Sequence, residues 1–261
     1  MSNQLLKGKK GIIFGALDEK SIAWKTALAC HEQGAQIVLT NAPVALRMGE
    51  INKLAEKCQT EVIAADATSV NIPNEIISKL VAAWGGIDVI ILNAGEADVQ
   101  KIEDTTDAIW EKTLAINTTA PFRFIRAVTP IMKTQNSGRV IVIASIAGLM
   151  GEAFVTAYAA SKHAVVGVVR ASAIELNKYG ITVNALCPGY VDTPMLDKGL
   201  DVTAARTGKT RDELRAALAL KQPGGRLLTS DEVASAAIDF ISNGETGQAR
   251  WLYATTIGEK K

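Results

Sequence analysis

Short apolar runs rich in Val and Ile recur along this chain and alternate with stretches long enough for helices. They fall at residues 10–14 (K-G-I-I-F), 36–40 (Q-I-V-L-T), 61–65, 88–92 (D-V-I-I-L), 139–144 (R-V-I-V-I-A) and 182–186. Runs that are apolar without alternation suit strands covered on both faces, and strands joined through helices pair in parallel. The intervening stretches carry helix punctuation. Ser21 can cap a helix that runs to about Gln33 and stops at Gly34, another is expected over 44–57, and Pro73 can open a third. A long helical stretch spans 107–133 with a disturbance near Pro121, and an Ala-rich helix covers 157–173. Thr229 and Glu232 have capping-box spacing ahead of a helix at 233–241. Repeated strand–helix units predict an α/β, doubly wound parallel sheet with helices on both faces and right-handed crossovers.

No linker-like or charge-dense stretch divides the 261 residues, so one domain over 1–261 is expected. A net charge of +1 supplies no basic footprint for nucleic acid. Cys30, Cys58 and Cys187 are scattered, which argues against a disulfide framework or a zinc site, and no metal is expected. The opening M-S-N-Q-L-L-K-G-K-K has no hydrophobic signal region, and no apolar run has membrane-spanning length. The expectation is a cytoplasmic protein with no membrane partner.

The chemistry concentrates between Ser145 and Lys162 (S-I-A-G-L-M-G-E-A-F-V-T-A-Y-A-A-S-K). Tyr158 and Lys162 are four apart, so on a helix they share a face one turn apart. A tyrosine titrates near pKa ~10, and a nearby ammonium favours its phenolate and brings it toward working range. Y-x-x-x-K alone occurs by chance in many helices and reads first as a buried aromatic and a snorkelling lysine. Here, however, an apolar strand delivers Ser145 at its carboxyl end, where open α/β sheets bind ligands. Strand, serine, then a helix bearing Tyr and Lys resembles the catalytic segment of the short-chain dehydrogenase/reductase family. Ser145 matches the family spacing, thirteen residues before Tyr158, and Asn117 falls where the fourth catalytic residue would lie. The resemblance covers nearly the whole chain and implies a single Rossmann-like domain that moves a hydride between a nicotinamide and a carbonyl or secondary alcohol carbon. It casts Tyr158 as the proton donor and acceptor, and Ser145 as the hydrogen-bonding partner of the substrate oxygen. Lys162 would lower the tyrosine and hold the nicotinamide ribose, with Asn117 supporting a water relay to it. His31 and His163 have no part in this scheme and are expected on the surface.

The nucleotide end departs from the family's T-G-x-x-x-G-x-G. The turn reads F-G-A-L-D-E-K-S-I-A-W, keeps Gly15, is two residues longer, and puts Ser21 and Ala23 in place of the later glycines. It resembles the loop of the enoyl-acyl-carrier-protein reductases, which implies pyrophosphate contacts at Gly15, Ser21 and Ile22. By the same resemblance Asp66 and Ala67 (A-A-D-A-T) would lie near adenine, and Asn93-Ala94-Gly95 near the ribose and adenine side. Pro188-Gly189 with Val191 and Thr193 (C-P-G-Y-V-D-T-P-M) would lie beside the nicotinamide.

Residues from about 194 to 222 mix charge with Ala and Leu, as an exposed helix face does, and in the family this insertion is a mobile substrate lid. Lys198, Arg206, Lys209, Arg211 and Arg215 could meet an anionic substrate tail, although a solvated helix face accounts for them as well. After the second strand come Asn41, Ala42 and Pro43, neither acid nor base; Arg47 sits further along, and Lys20 in the first loop could reach a phosphate. NAD(H) is favoured over NADP(H) on this basis. The substrate end looks most like 3-oxoacyl reductases and 3-hydroxybutyrate dehydrogenases, which implies a small-molecule 3-oxoacyl or 3-hydroxyacyl substrate and a homotetramer. Two alternatives stay open, an enoyl-thioester reductase and a non-catalytic dinucleotide-binding sensor. The former places its tyrosine and lysine seven apart, and here those positions hold Val165 and Val155.

Overall fold

A computed structural model describes residues 4–47 and 50–255. Its centre is one parallel sheet of seven strands in the order β3-β2-β1-β4-β5-β6-β7. The elements run β1 (Lys10–Phe14), α1 (Ile22–Glu32), β2 (Gln36–Asn41), α2 (Pro43–Leu46), α3 (Glu50–Lys57), β3 (Val62–Ala64), α4 (Ile72–Trp84) and β4 (Val89–Leu92). Then follow α5 (Asp107–Leu114), α6 (Ala120–Gln135), β5 (Gly138–Ile143), α7 (Thr156–Leu176) and β6 (Ile181–Pro188). The last are α8 (Pro194–Thr207), α9 (Arg211–Leu220), α10 (Ser230–Asn243) and β7 (Ala249–Leu252).

The apolar runs become strands because each has two faces to bury. Ile13, Leu39, Ile91 and Ile141 point into a core with Trp24 of α1, Leu54 of α3 and Phe240 of α10. Their neighbours Ile12, Val38, Ile90 and Val140 enter a second core with Leu80 of α4, Phe124 of α6 and Val165 and Val169 of α7. Period-two side chains on a sheet covered from both sides require this unbroken apolar pattern.

Three details differ from the sequence-based expectation. The helix expected over 44–57 is described as α2 and α3, α2 ending with Arg47 as its cap, while residues 48–49 lie outside the described ones. The disturbance expected near Pro121 is a single π-helical turn, Ala115–Thr119, just before it, and Pro121 stands in the first turn of α6, directly after that wider turn. The charged stretch after β6 forms two helices. α8 stops at Gly208 in the left-handed region (φ +71°), and a capping box between Thr210 and Glu213 starts α9. The expected capping box of Thr229 and Glu232 is present at the start of α10.

Candidate active site

The strand order reverses between β1 and β4, and the site residues gather at the carboxyl ends of the central strands. Gly15 leaves β1 with φ +81°, and a Cβ there would lie 2.9 Å from the Ala94 backbone nitrogen after β4. Only glycine allows these two loops to approach so closely. The rest of the loop is held locally. Ser21 Oγ donates to Asp18 O (2.8 Å) and accepts from Trp24 N (3.3 Å), which caps α1, and Asn41 Nδ2 donates to Ala16 O (2.6 Å). The first-turn N–H groups of α1, at Ile22 and Ala23, have no carbonyl of their own helix to bond. Asp66 is exposed and accepts from the backbone and hydroxyl of Thr68, while Ala67 is half-buried.

The π-helical turn aims Asn117 inward, where it is buried. Its Oδ1 accepts from Glu96 N (2.9 Å), and its Nδ2 donates to Glu96 O (2.8 Å) and Ser161 Oγ (3.0 Å). The carboxamide therefore ties the chain after Asn93-Ala94-Gly95 to α7. Lys162 Nζ lies close by: a Cβ on Gly95 would stand 3.3 Å from Asn117 Oδ1 and 3.5 Å from Lys162 Nζ. Lys162 Nζ donates to Ile143 O at the end of β5 (3.0 Å) and sits 5.5 Å from the centre of the Tyr158 ring. Burial pushes its pKa down from 10.5 to about 8.

Ser145 lies two residues past the end of β5, and its Oγ accepts from Ala147 N (3.2 Å). Tyr158 is held above its ordinary pKa, mainly by burial. The Ser145 hydroxyl, hydrogen-bonded to the phenol oxygen, opposes this, while the charges of Glu152 and Cys187 add to it. The expectation that Lys162 brings Tyr158 down therefore does not describe this structure, because the desolvation that depresses the lysine also penalises the phenolate. Ser145, Tyr158, Lys162 and Asn117 nonetheless converge on one corner.

Pro188 ends β6, and Gly189 donates its N–H to Leu252 O (2.8 Å). Val191 is buried and bridges to Leu228, and Thr193 caps α8 through Leu196 N (3.5 Å). His163 is exposed, as expected.

Four residues near the site carried no local sequence signal. Gln222 is buried against Gly189, donates to Tyr190 O (2.8 Å) and accepts from Ala254 N (3.3 Å). Tyr190 OH donates to Glu152, and Lys221 Nζ lies 3.6 Å from the same carboxylate. Tyr190 stood inside the quoted C-P-G-Y segment and Glu152 inside the catalytic one, but no spacing rule pairs residues 38 apart.

The residues present fit a nicotinamide dinucleotide. Gly15 leaves the crevice floor without a side chain, α1 offers helix N-terminal N–H groups where a pyrophosphate would need them, and Gly95, also without a side chain, brings the backbone close to Lys162. A family model described as "Enoyl-(Acyl carrier protein) reductase" matches residues 15–249. The D-beta-hydroxybutyrate dehydrogenase of Rhizobium meliloti is 34% identical over 255 residues, covering 96% of this chain and 97% of that one. Its namesake from Cupriavidus necator is 32% identical over 248 residues, covering 94% and 95%. Among solved structures, an NAD+-bound xylitol dehydrogenase superposes with a TM-score of 0.86 at 26% identity, covering 95% of this chain and 98% of the other. An actinorhodin polyketide ketoreductase with NADPH gives 0.87 at 27%, covering 97% of each. These matches, each over nearly the whole chain, lead to one conclusion: the chain belongs to the short-chain dehydrogenase/reductase family, as an oxidoreductase acting on CH–OH and C=O groups with a nicotinamide dinucleotide.

Proposed function

We propose that the chain interconverts ketones and secondary alcohols of the 3-oxoacyl/3-hydroxyacyl type with NAD(H). The observation that carries this reading is the Ser145 hydroxyl on the oxygen of Tyr158, with Lys162 one helical turn along. When bound, the dinucleotide supplies or takes the hydride. Tyr158 passes the proton to or from the substrate oxygen, and Ser145 hydrogen-bonds that oxygen as charge develops on it. Lys162, whose Nζ lies 5.5 Å from the centre of the Tyr158 ring, is the natural partner of the cofactor ribose. Asn117 keeps the chain at Glu96 in place beside Lys162.

Double-bond reduction is less well supported, whatever the family model's description. Its register would require a lysine seven residues after the tyrosine, and that position is Val165, fully buried among apolar side chains. A non-catalytic sensor would have no use for a buried lysine held at about pH 8 beside a tyrosine. The named substrates of the relatives support the 3-oxoacyl class.

The absence of an Arg or Lys at the end of β2 and directly after it, where the chain reads Asn41-Ala42-Pro43, supports NAD(H). Residues 194–222 would act as the substrate lid. Three free, buried cysteines suit a reducing, cytoplasmic setting. Exposed Trp110, Phe122 and Ile174 on α5, α6 and α7 suit a homotetramer, which light scattering on purified protein measures.

The functional test is oxidation of NADH and NADPH with acetoacetyl and crotonyl thioesters. We expect turnover of the 3-oxo compound, a KM for NADH at least ~10-fold below that for NADPH, and no useful crotonyl reduction. Consumption with the enoyl compound alone would overturn the reading.

A further inference from the structure

Phe154 breaks a backbone rule in the segment between Ser145 and Tyr158. Its φ is +67°, in the left-handed region that glycine enters freely and a bulky residue enters only under strain. Such strain persists where the surrounding contacts over-determine it. Phe154 O accepts from Gln100 N (2.8 Å), which pins this loop to the chain after β4. A glycine would make the same backbone bond without strain. What it could not do is hold out a ring. Phe154 is 44% exposed, and the Arg206 guanidinium of α8 stacks 3.9 Å from the ring centre.

The helix this contact reaches is lightly attached. α8 buries one of its residues, Leu200, and α9 buries none. Segments with so few buried apolar contacts open locally at low cost. Gly199 and Arg206 are seven apart and share a face of α8, and a Cβ on Gly199 would lie 3.6 Å from Val99, the neighbour of Gln100. That face is turned toward Phe154 and the segment that pins it, yet Met195 and Val202 on it remain exposed. Arg215 bonds Asp192 (2.7 Å) and Asp197 (2.6 Å), and Arg211 bonds Asp201, whereas Arg206 is committed to the ring. The stack thus joins the last turn of α8 to the catalytic loop, and Lys221 joins the end of α9 to the same loop at Glu152 (3.6 Å). An exposed cation–ring contact shifts an opening equilibrium roughly two- to fivefold, enough to bias such a flap and weak enough to release it.

We propose that the Arg206–Phe154 stack is a latch: the left-handed backbone at Phe154 presents the ring, and Arg206 fastens the α8–α9 flap to the catalytic loop through it. The proposal rests on the lid reading above and supplies its fastening. Hydrogen–deuterium exchange of the purified chain, read by mass spectrometry, tests it. Arg206→Gln and Phe154→Gly should each speed exchange over residues 200–207 roughly two- to fivefold and leave the peptides of β5 unchanged. Arg206→Lys, which keeps the charge and loses the stacking plane, should fall between parent and Arg206→Gln. In the double variant the two effects should not add. Phe154→Gly should not lower Tm, because glycine relieves the strain, whereas loss of a ring that only packs would lower it. Unchanged exchange over 200–207 in Arg206→Gln overturns the proposal. So does additivity in the double variant, or a Tm loss in Phe154→Gly with faster exchange throughout 145–158. The KM for acetoacetyl thioester with NADH tests the lid reading separately. Faster exchange with KM raised roughly two- to fivefold supports both, and faster exchange with KM unmoved supports the latch and rejects the lid.

Discussion

A single side chain, Lys162, sets the balance between stability and activity in this site. Its pKa falls from 10.5 to about 8 on burial, which corresponds to roughly 3 kcal/mol of unfavourable folding free energy while it stays charged. Between pH 8 and 10.5 the unfolded chain binds the proton that the folded chain has released, so this penalty is relieved as pH rises through that window. Lys162→Met should therefore raise Tm at neutral pH, with the advantage over the parent shrinking toward pH 10.5, and calorimetry across pH checks it. The same substitution should abolish turnover, because the group that would hold the cofactor ribose beside Tyr158 is lost. In the parent, ketone reduction should decline above about pH 8 as the ammonium is lost. Tyr158→Phe keeps the ring and removes the proton, so cofactor should still bind while turnover falls by ~10² or more, as stopped-flow and fluorescence titration would show.

Among the elements, the strands with unbroken apolar runs and the helices with capping signals were legible, and the short amphipathic edge strand β7 was not. The strands at 10–14, 36–40 and 139–144 were plain because every residue is apolar or nearly so. β7 (A-R-W-L) escaped because it is an edge strand of four residues, with an exposed tryptophan and a charged arginine. The break between α8 and α9 was equally readable in principle, since Gly208 and T-x-x-E at Thr210 announce it, but the charge pattern of an exposed helix hid the boundary. The four catalytic candidates were legible from spacing, whereas Glu152, Tyr190, Lys221 and Gln222 meet only through the tertiary fold. Capping carries a measurable share of stability in α10, which fixes Phe240 in the core. Thr229→Ala should cost about 1 kcal/mol, read as a lower Tm at constant m-value. Arg226 beside Glu232 holds that carboxyl down at about 2, so its contribution is present above the ordinary value of 4.5 and lost as pH falls toward 2. Glu232→Gln should correspondingly flatten the loss of stability over that acid window in a denaturant titration.

At the scale of the whole molecule, the sheet order brings β1 beside β4 and makes one crevice from loops far apart in sequence. Gly15 is the tightest point of that junction. Gly15→Ala combines a positive φ with a Cβ 2.9 Å from Ala94 N, and should cost roughly 1–3 kcal/mol while raising KM for the dinucleotide. Gly208 has a different consequence. Nothing lies within 4 Å of a Cβ placed there, the flanking Thr207 and Lys209 are exposed, and the helices on either side are capped independently. Trypsin should therefore nick the native chain first after Arg206 or Lys209. The pieces should nonetheless migrate together on a sizing column, since the shorter one carries Phe240 into the core and lays β7 against β6. A protein cut there would run as two bands on a denaturing gel and as one particle in solution, and the order in which it lost activity and mass would reveal whether the two helices work as one flap or as two.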